Sequence, residues 1–300
     1  MKTFNRWKRS ICKILLKAKI IKPKVIVFMD GGICSQMYQY LVGALFIQKG
    51  YKVCYDLSFY KEWGTDLNHQ FVRNFDLLKA FPYLKLEQAS NMDISIYKKE
   101  YYYPGNHTVP RSEDYSFIEK NPPIYLGGYY LLPLELYLNT FRKLFHLNPQ
   151  ILDIPNNLLC EEIKSQTNSI AVHVRRGDLK VEVYAYGKPA SSDYFKNAIT
   201  YFKDRKAYFY FFSDEPDWVS QTLLPLLPLS DNYKVVSING SDKGYMDLYL
   251  IAYCKHQITS KGSLGKYGAL LMDNPRKTVI LCDDETEYSW KPLFHNPVFI

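Results

Sequence analysis

Residues 169–178 read Ser169-Ile170-Ala171-Val172-His173-Val174-Arg175-Arg176-Gly177-Asp178. Ile170, Val172 and Val174 alternate with smaller or polar residues, the pattern of a short buried strand. The run stops abruptly in His-x-Arg-Arg-Gly-Asp. Two adjacent guanidiniums at the carboxyl end of a strand, ahead of a glycine turn, stand where open α/β sheets form their ligand crevice. Arginine keeps its charge and holds phosphate bidentately, so the implied ligand is a phosphate-bearing small molecule. A surface arginine pair in a loop is the plainer alternative.

Downstream, strands and helices alternate. Helices are expected near 157–166, 192–203, 245–254 and 263–272. Strands are expected at 170–174, 208–212, 233–238, 258–260 and 278–281. Such alternation implies a parallel, doubly wound sheet. Its strand ends carry polar groups at His173 to Asp178, at Ser213-Asp214 and at Ser260 to Ser263. Carboxyl ends share one edge of a parallel sheet, so these three loops should converge on a ligand. Asp214 could accept two N–H donors from a guanine edge. Ser263 opens a helix whose amino end suits a phosphate.

The first half is less regular. Lys24-Val-Ile-Val-Phe-Met29 reads as a buried strand, Asp30-Gly31-Gly32 as a sharp turn, and Ser35 as the start of a helix running to about Lys49. A second strand follows at 51–56. From Leu57 to Pro123 the chain is rich in tyrosine (Tyr97, Tyr101, Tyr102, Tyr103, Tyr115), which suits sugar contacts and core filling alike. Another strand at 124–130 leads into a helix at about 133–145. Asn148 to Pro155 reads as a domain junction.

Charge is concentrated at the amino end. Nine lysines and arginines precede the first acid, Asp30, and without them the net charge falls from +8 to about −1. A nearly neutral body argues against nucleic acid as a partner. Within residues 1–24, Phe4, Trp7, Ile11, Ile14, Ala18 and Ile21 recur at helical spacing between the cations. That is the pattern of a helix lying in an anionic membrane surface; a solvated leader, or a helix packed on the protein's own body, would look similar. Six scattered cysteines without zinc spacing, and no apolar run long enough to span a bilayer, fit a cytoplasmic protein.

Asp30-Gly-Gly-Ile-Cys-Ser-Gln-Met-Tyr-Gln-Tyr40, Tyr125-Leu-Gly-Gly-Tyr129, Val172-His-Val-Arg-Arg-Gly-Asp178, Phe211-Phe-Ser-Asp214, Asp247 to His256 and Ser263 to Ala269 run in the order of glycosyltransferase family 11. The chain therefore resembles the α-1,2-fucosyltransferases of that family.

The resemblance implies a GT-B-like α/β fold of two Rossmann-like domains facing a cleft. A basic leader would occupy 1–24, an acceptor-side domain 25–150, a GDP-sugar domain 151–285 and a C-terminal tail 286–300. It implies an inverting, metal-independent transfer of L-fucose from GDP-β-L-fucose, with no cofactor, to the 2-hydroxyl of a galactose residue in a surface glycan, as in O-antigen assembly. His173 and Asp214 would face guanine. Arg175 would hold the pyrophosphate and stabilise the departing charge, and Ser263 would lie by the β-phosphate. Asp178 would fix the arginine loop, and Arg176 is left to either task. Gly31 and Gly32 would shape the first loop, and Asp30 is the candidate base, although an aspartate before Gly-Gly also caps turns. The basic leader suggests lipid-linked acceptors at the inner membrane face.

Two loops depart from the family pattern. Cys34-Ser35 replaces Gly-Asn, and Lys261-Gly-Ser-Leu-Gly-Lys-Tyr267 replaces Asn-Ser-Ser-Phe-Ser-Trp-Trp. The second change adds two cations and widens the choice of donor to other GDP-6-deoxyhexoses. It also leaves room for a catalytically degenerate, membrane-tethered glycan-binding protein. Gly262-Ser-Leu-Gly265-Lys266 imitates a phosphate-binding P-loop, but with the wrong spacing and with Tyr267 in place of Ser/Thr. Asp283-Asp284-Glu285 could imitate the acidic metal motif of a GT-A transferase.

Overall fold

The computed structural model describes residues 2–65, 69–98, 101–102, 124–127, 134–180, 188–203 and 205–300. The chain divides into two compact units. One comprises Met1–Thr65 and Tyr83–Leu144, the other Asp66–Pro82 and Phe145–Ile300.

In the first unit, strands β1 (Lys24–Phe28), β2 (Lys52–Asp56), β3 (Tyr101–Tyr102) and β4 (Ile124–Leu126) form a parallel sheet of order β2-β1-β4-β3. Val25, Ile26 and Val27 are buried on both sheet faces, as continuous β-branched runs of parallel sheets require. Among the described residues it is accompanied by α1 (Lys2–Lys17), α2 (Ile33–Gln48), α3 (Asn91–Tyr97) and α4 (Leu134–Leu144), with a short helical stretch at Ser58–Glu62. Helix α2 begins before Ser35, because Gly31 turns the chain at φ 69° and Gly32 already stands at the N-cap. Cys12 and Leu16 of α1 pack on the core that includes Ile26, Cys54, Ile96 and Tyr97, while Trp7, Ile11 and Ile14 are exposed. Tyr97 is a core residue whose hydroxyl accepts the Lys24 N–H at 3.2 Å. Tyr103 and Tyr115, like residues 128–133, lie outside the described residues.

The second unit holds six parallel strands: β5 (Ser169–Val174), β6 (Tyr208–Ser213), β7 (Tyr233–Val236), β8 (His256–Thr259), β9 (Thr278–Leu281) and β10 (Asn296–Phe299). Their order, β10-β9-β8-β5-β6-β7, is that of a doubly wound Rossmann sheet, and it reverses between β5 and β8. Helix α5 (Ile154–Ser165) leads into β5, and α6 (Ser192–Thr200), α7 (Gly244–Tyr253) and α8 (Leu264–Leu271) lie in crossovers between strands. Ile170, Val172, Val174, Phe209, Phe211, Ile258 and Ile280 form one core with Phe195, Ala198 and Ile199 of α6. The opposite sheet face lies toward α8, where Gly265 sits against His173.

Both units are Rossmann-like, and the fold class is GT-B-like. Two boundaries differ from the expected ones. Residues 286–300 are not a tail outside the domain, since Asn296–Phe299 pairs with Thr278–Leu281 as the sixth strand. Its Pro297 obscures the strand pattern, but an edge strand tolerates proline. The segment Asp66–Pro82, expected in the first domain, belongs to the second unit. Phe81 is fully buried beside Phe145 and Tyr249, and the Tyr249 hydroxyl donates to the Ala80 carbonyl at 2.6 Å.

Candidate active site

All six residues of β5 are buried between β6 and β8, so the chain leaves this strand at the middle of the sheet, beside the point where strand order reverses. Pairing aligns Val174 with Ser213 and His173 with Thr259, which brings the ends of β5, β6 and β8 to one edge. Hydrogen bonds tie the three loops together there. Ser213 Oγ donates to the Val174 carbonyl at 2.8 Å. The Arg175 N–H donates to Ser260 Oγ at 2.9 Å, and the Ser260 N–H to the His173 carbonyl at 3.1 Å. The Arg176 and Gly177 N–H groups donate to the two oxygens of Asp214, at 3.0 and 2.9 Å. Asp214 is therefore the brace of the arginine loop: the pair of N–H donors it receives comes from the backbone.

At the end of β5 the two adjacent arginines separate. Arg175 Nε donates to Asp178 Oδ1 at 2.9 Å and its Nη2 to Oδ2, a bidentate pair. Asp178 is nearly enclosed, whereas the Arg175 side chain is 23% exposed and reachable from solvent. Burial alone would raise the Asp178 carboxyl. The hydrogen bonds and charge of Arg175, with the charge of Arg73, instead hold it below the usual carboxylate value. Arg176 turns elsewhere. Its guanidinium lies 3.5 Å from the centroid of Trp218, and its Nε donates to Glu215 at 3.3 Å.

A second cation does reach Asp178, from the segment Asp66–Pro82. Arg73 Nη2 donates to Asp178 Oδ2 at 2.7 Å. Phe71 anchors the approach: a Cβ on Gly177 would stand 2.8 Å from its ring. Sequence reasoning missed both residues. Arg73 sits in no motif, in a stretch without clear periodicity, and its loop meets the site only through the fold.

His173 lies within the protein, 5% exposed, with its Cβ 2.9 Å from where a Gly265 side chain would begin. Burial, with the charges of Arg175 and Lys266, pushes its pKa down to about 3, so the imidazole is neutral. Its Nδ1 has no hydrogen-bond partner among the described residues. Ser263 is the N-cap of α8, and its side chain makes no capping bond. The hydroxyl and the first amides of α8 stand next to Gly262, whose φ of +99° lets the loop pass close over Arg175.

The two cations of this loop do not add free charge to the edge. Lys266, 1% exposed, donates to the carbonyls of Gly262 at 2.8 Å and Ser260 at 3.3 Å, and lies 2.5 Å from Glu287. Lys261 pairs with Asp284 at 2.6 Å. Both lysines brace the loop against the chain after β9. Asp284, one of the three acids that imitate a metal motif, is thereby committed to a lysine.

Asp30, Gly31 and Gly32 belong to the first unit. Asp30 and Gln39 bond reciprocally: the Asp30 N–H donates to Gln39 Oε1 at 3.1 Å, and Gln39 Nε2 to Asp30 Oδ1 at 2.5 Å. The Gly31 carbonyl accepts from Gln36 Nε2 and the Tyr60 hydroxyl. These bonds make the turn a rigid start for α2.

Residues 94–289 match the family described as Glycosyl transferase family 11. An alpha-1,2-colitosyltransferase of Escherichia coli is 23% identical over 267 residues, which cover 82% of this chain and 87% of that protein. The O-antigen biosynthesis glycosyltransferase WbnK of Escherichia coli is 24% identical over 189 residues, covering 57% of this chain and 60% of WbnK. Among solved structures, NodZ alpha-1,6-fucosyltransferase soaked with GDP-fucose superposes with a TM-score of 0.51 at 14% identity, covering 89% of this chain and 97% of NodZ. At that identity the likeness is one of fold.

Proposed function

This chain belongs to glycosyl transferase family 11, and from that premise we propose that it transfers L-fucose from GDP-β-L-fucose to the 2-hydroxyl of a galactose residue in a surface glycan. Inversion at the anomeric carbon and independence of a metal ion are parts of the same proposal. The observation that carries it is the accessible Arg175, fixed by Asp178 at the reversal point of the second unit's sheet. In the reaction the acceptor oxygen bonds to the anomeric carbon from the face opposite the nucleotide. The bond from that carbon to the β-phosphate oxygen breaks, the electron pair stays on the phosphate, and the acceptor proton passes to a base.

The growing phosphate charge needs a preorganised counter-charge. A guanidinium already held by a buried carboxylate meets that need without reorganising. A charge-assisted hydrogen bond of this kind contributes roughly 1.5–3 kcal/mol. Ser263 and the amino end of α8 would add neutral donors beside it. Asp30 remains the candidate base, its carboxylate oriented by Gln39.

A second donor has specific support. The colitosyltransferase relative carries a different sugar, and the loop from Lys261 to Tyr267 differs from the family pattern read above. Another GDP-6-deoxyhexose is therefore the alternative donor; a glycan-binding protein without transfer activity is the remaining one. A screen of GDP-linked deoxysugars, with UDP-sugars as controls, against galactose-terminated oligosaccharides separates the three. Transfer from GDP-fucose, unaffected by EDTA and giving an α-1,2 product by NMR, is the expected result. Transfer only from UDP-sugars, or glycan binding without any transfer, would reject the proposal.

We also assign the acceptor to a lipid carrier at an anionic membrane surface, approached through α1. Trp7, Ile11 and Ile14 of this cationic helix are exposed while its other side packs on the protein. Among the described residues no helix is long and apolar enough to cross a membrane, so the contact would be interfacial.

A further inference from the structure

We propose that Arg73 is a second guanidinium for the diphosphate of the donor nucleotide, so that the sugar nucleotide is held by Arg73 and Arg175 rather than by the adjacent pair Arg175 and Arg176. This rests on the reading of the chain as a GDP-sugar transferase. The geometry that carries it is one carboxylate between two cations. Asp178 Oδ2 accepts from Arg73 at 2.7 Å and also from Arg175, while Oδ1 accepts from Arg175. Asp178 is the one carboxylate hydrogen-bonded to both guanidiniums and matches only one of their two charges, while Asp214, bound to the loop backbone, acts on Arg175 from further off. Like charges held that close repel, and an anion bound across them relieves the repulsion.

The two arginines are committed to different degrees. Arg175 gives Asp178 both its Nε and an Nη, the fork that a bidentate phosphate contact would otherwise use. Arg73 gives a single Nη2, and among the described residues no other protein group pairs with it. A guanidinium carries five N–H donors in one plane, so most of those on Arg73 remain for a ligand. Its side chain is 25% exposed, and its segment is fixed at one end by the buried Phe81 and at the site by Phe71. Arg176 is drawn off by Trp218 and Glu215. A diphosphate offers two phosphoryl groups, which matches two separated guanidiniums better than one.

The rival role for Arg73 is to brace Asp178 and nothing more. Calorimetry with GDP, GMP and guanosine on the wild type, Arg73→Gln and Arg73→Lys distinguishes the two. A ligand contact predicts that Arg73→Gln weakens GDP binding about tenfold or more. It also predicts a change of less than about threefold for guanosine, a shallower salt dependence of GDP binding, and partial recovery in Arg73→Lys, which keeps a cation on Asp178. Equal loss for GDP and guanosine, full recovery of GDP binding in Arg73→Lys (the result a pure brace of Asp178 predicts), or GDP binding unchanged in Arg73→Gln, overturns the inference while the transferase reading stands. A wild type that binds no GDP overturns both.

Discussion

Lys266 and Glu287 form a buried ion contact, with Nζ 2.5 Å from Oε2 and side chains only 1% and 6% exposed. The lysine directs its hydrogen bonds to the carbonyls of Gly262 and Ser260, so this pair ties the loop over Arg175 to the chain that follows β9. A charge substituted into a binding loop has become an internal strut. Removing one partner leaves the other charge buried, which costs roughly 3–5 kcal/mol. Lys266→Met should lower the urea midpoint accordingly, and Lys266→Met with Glu287→Leu should recover much of it. Equal midpoints for wild type and the single variant would mean that the pair is not enclosed in solution.

Gly262 stands at φ +99°, and a Cβ there would come within 2.7 Å of Arg175 Cδ. Gly262→Ala should cost about 1–3 kcal/mol of stability through the backbone alone. It should also push Arg175 out of register with Asp178. Transfer activity is expected to fall further than the loss of folded protein explains, as measured on protein confirmed folded by circular dichroism.

Arg175→Ala should reduce turnover by about 100-fold or more, because it removes the counter-charge to the departing diphosphate. The fold should persist, since Arg73 still partners Asp178. Near-normal kcat in a folded Arg175→Ala variant would falsify the assignment.

Stability should fall on acidification in a window set by His173. Its folded pKa, about 3, lies below the ordinary 6.5. Protons therefore bind the unfolded chain first, and stability present above pH 6.5 is lost as the pH falls toward 3. The slope is at most about 1.4 kcal/mol per pH unit from this one group. Asp178, also held below its usual value, adds to the loss below about pH 4, the ordinary aspartate range. Urea titrations at pH 7 and 5 should differ for the wild type. The difference should shrink in His173→Asn, which cannot titrate.

Replacing Trp7, Ile11 and Ile14 together by serine should abolish flotation with vesicles rich in phosphatidylglycerol. The packed residues Cys12 and Leu16 are untouched by this change, so the folded body should survive. Neutral phosphatidylcholine vesicles should bind the wild type more weakly, because nine cations precede the first acid. Undiminished flotation of the triple variant would remove α1 as the membrane contact.

The strand–helix alternation from Ile170 onward was legible because each buried parallel strand must be apolar on both faces, and each helix between strands amphipathic. The convergence of the loops after Val174, Ser213 and Thr259 followed from the same rule, since parallel strands deliver their carboxyl ends to one edge. The sixth strand was not legible. Its four residues include Pro297, and its pairing with Thr278–Leu281, a segment already expected as a strand, exists only in the assembled sheet.

Local sequence, then, determined that a cationic loop ends a buried central strand, and that the chain resembles a sugar-nucleotide transferase. Tertiary structure alone decided which cations share that edge. It brought Arg73 in from a distant segment, turned Arg176 away onto Trp218, and neutralised Lys261 and Lys266 internally. The reason is physical. Hydrophobic periodicity is written into neighbouring residues, whereas the pairing of charges depends on which side chains come within a few ångströms of one another in space.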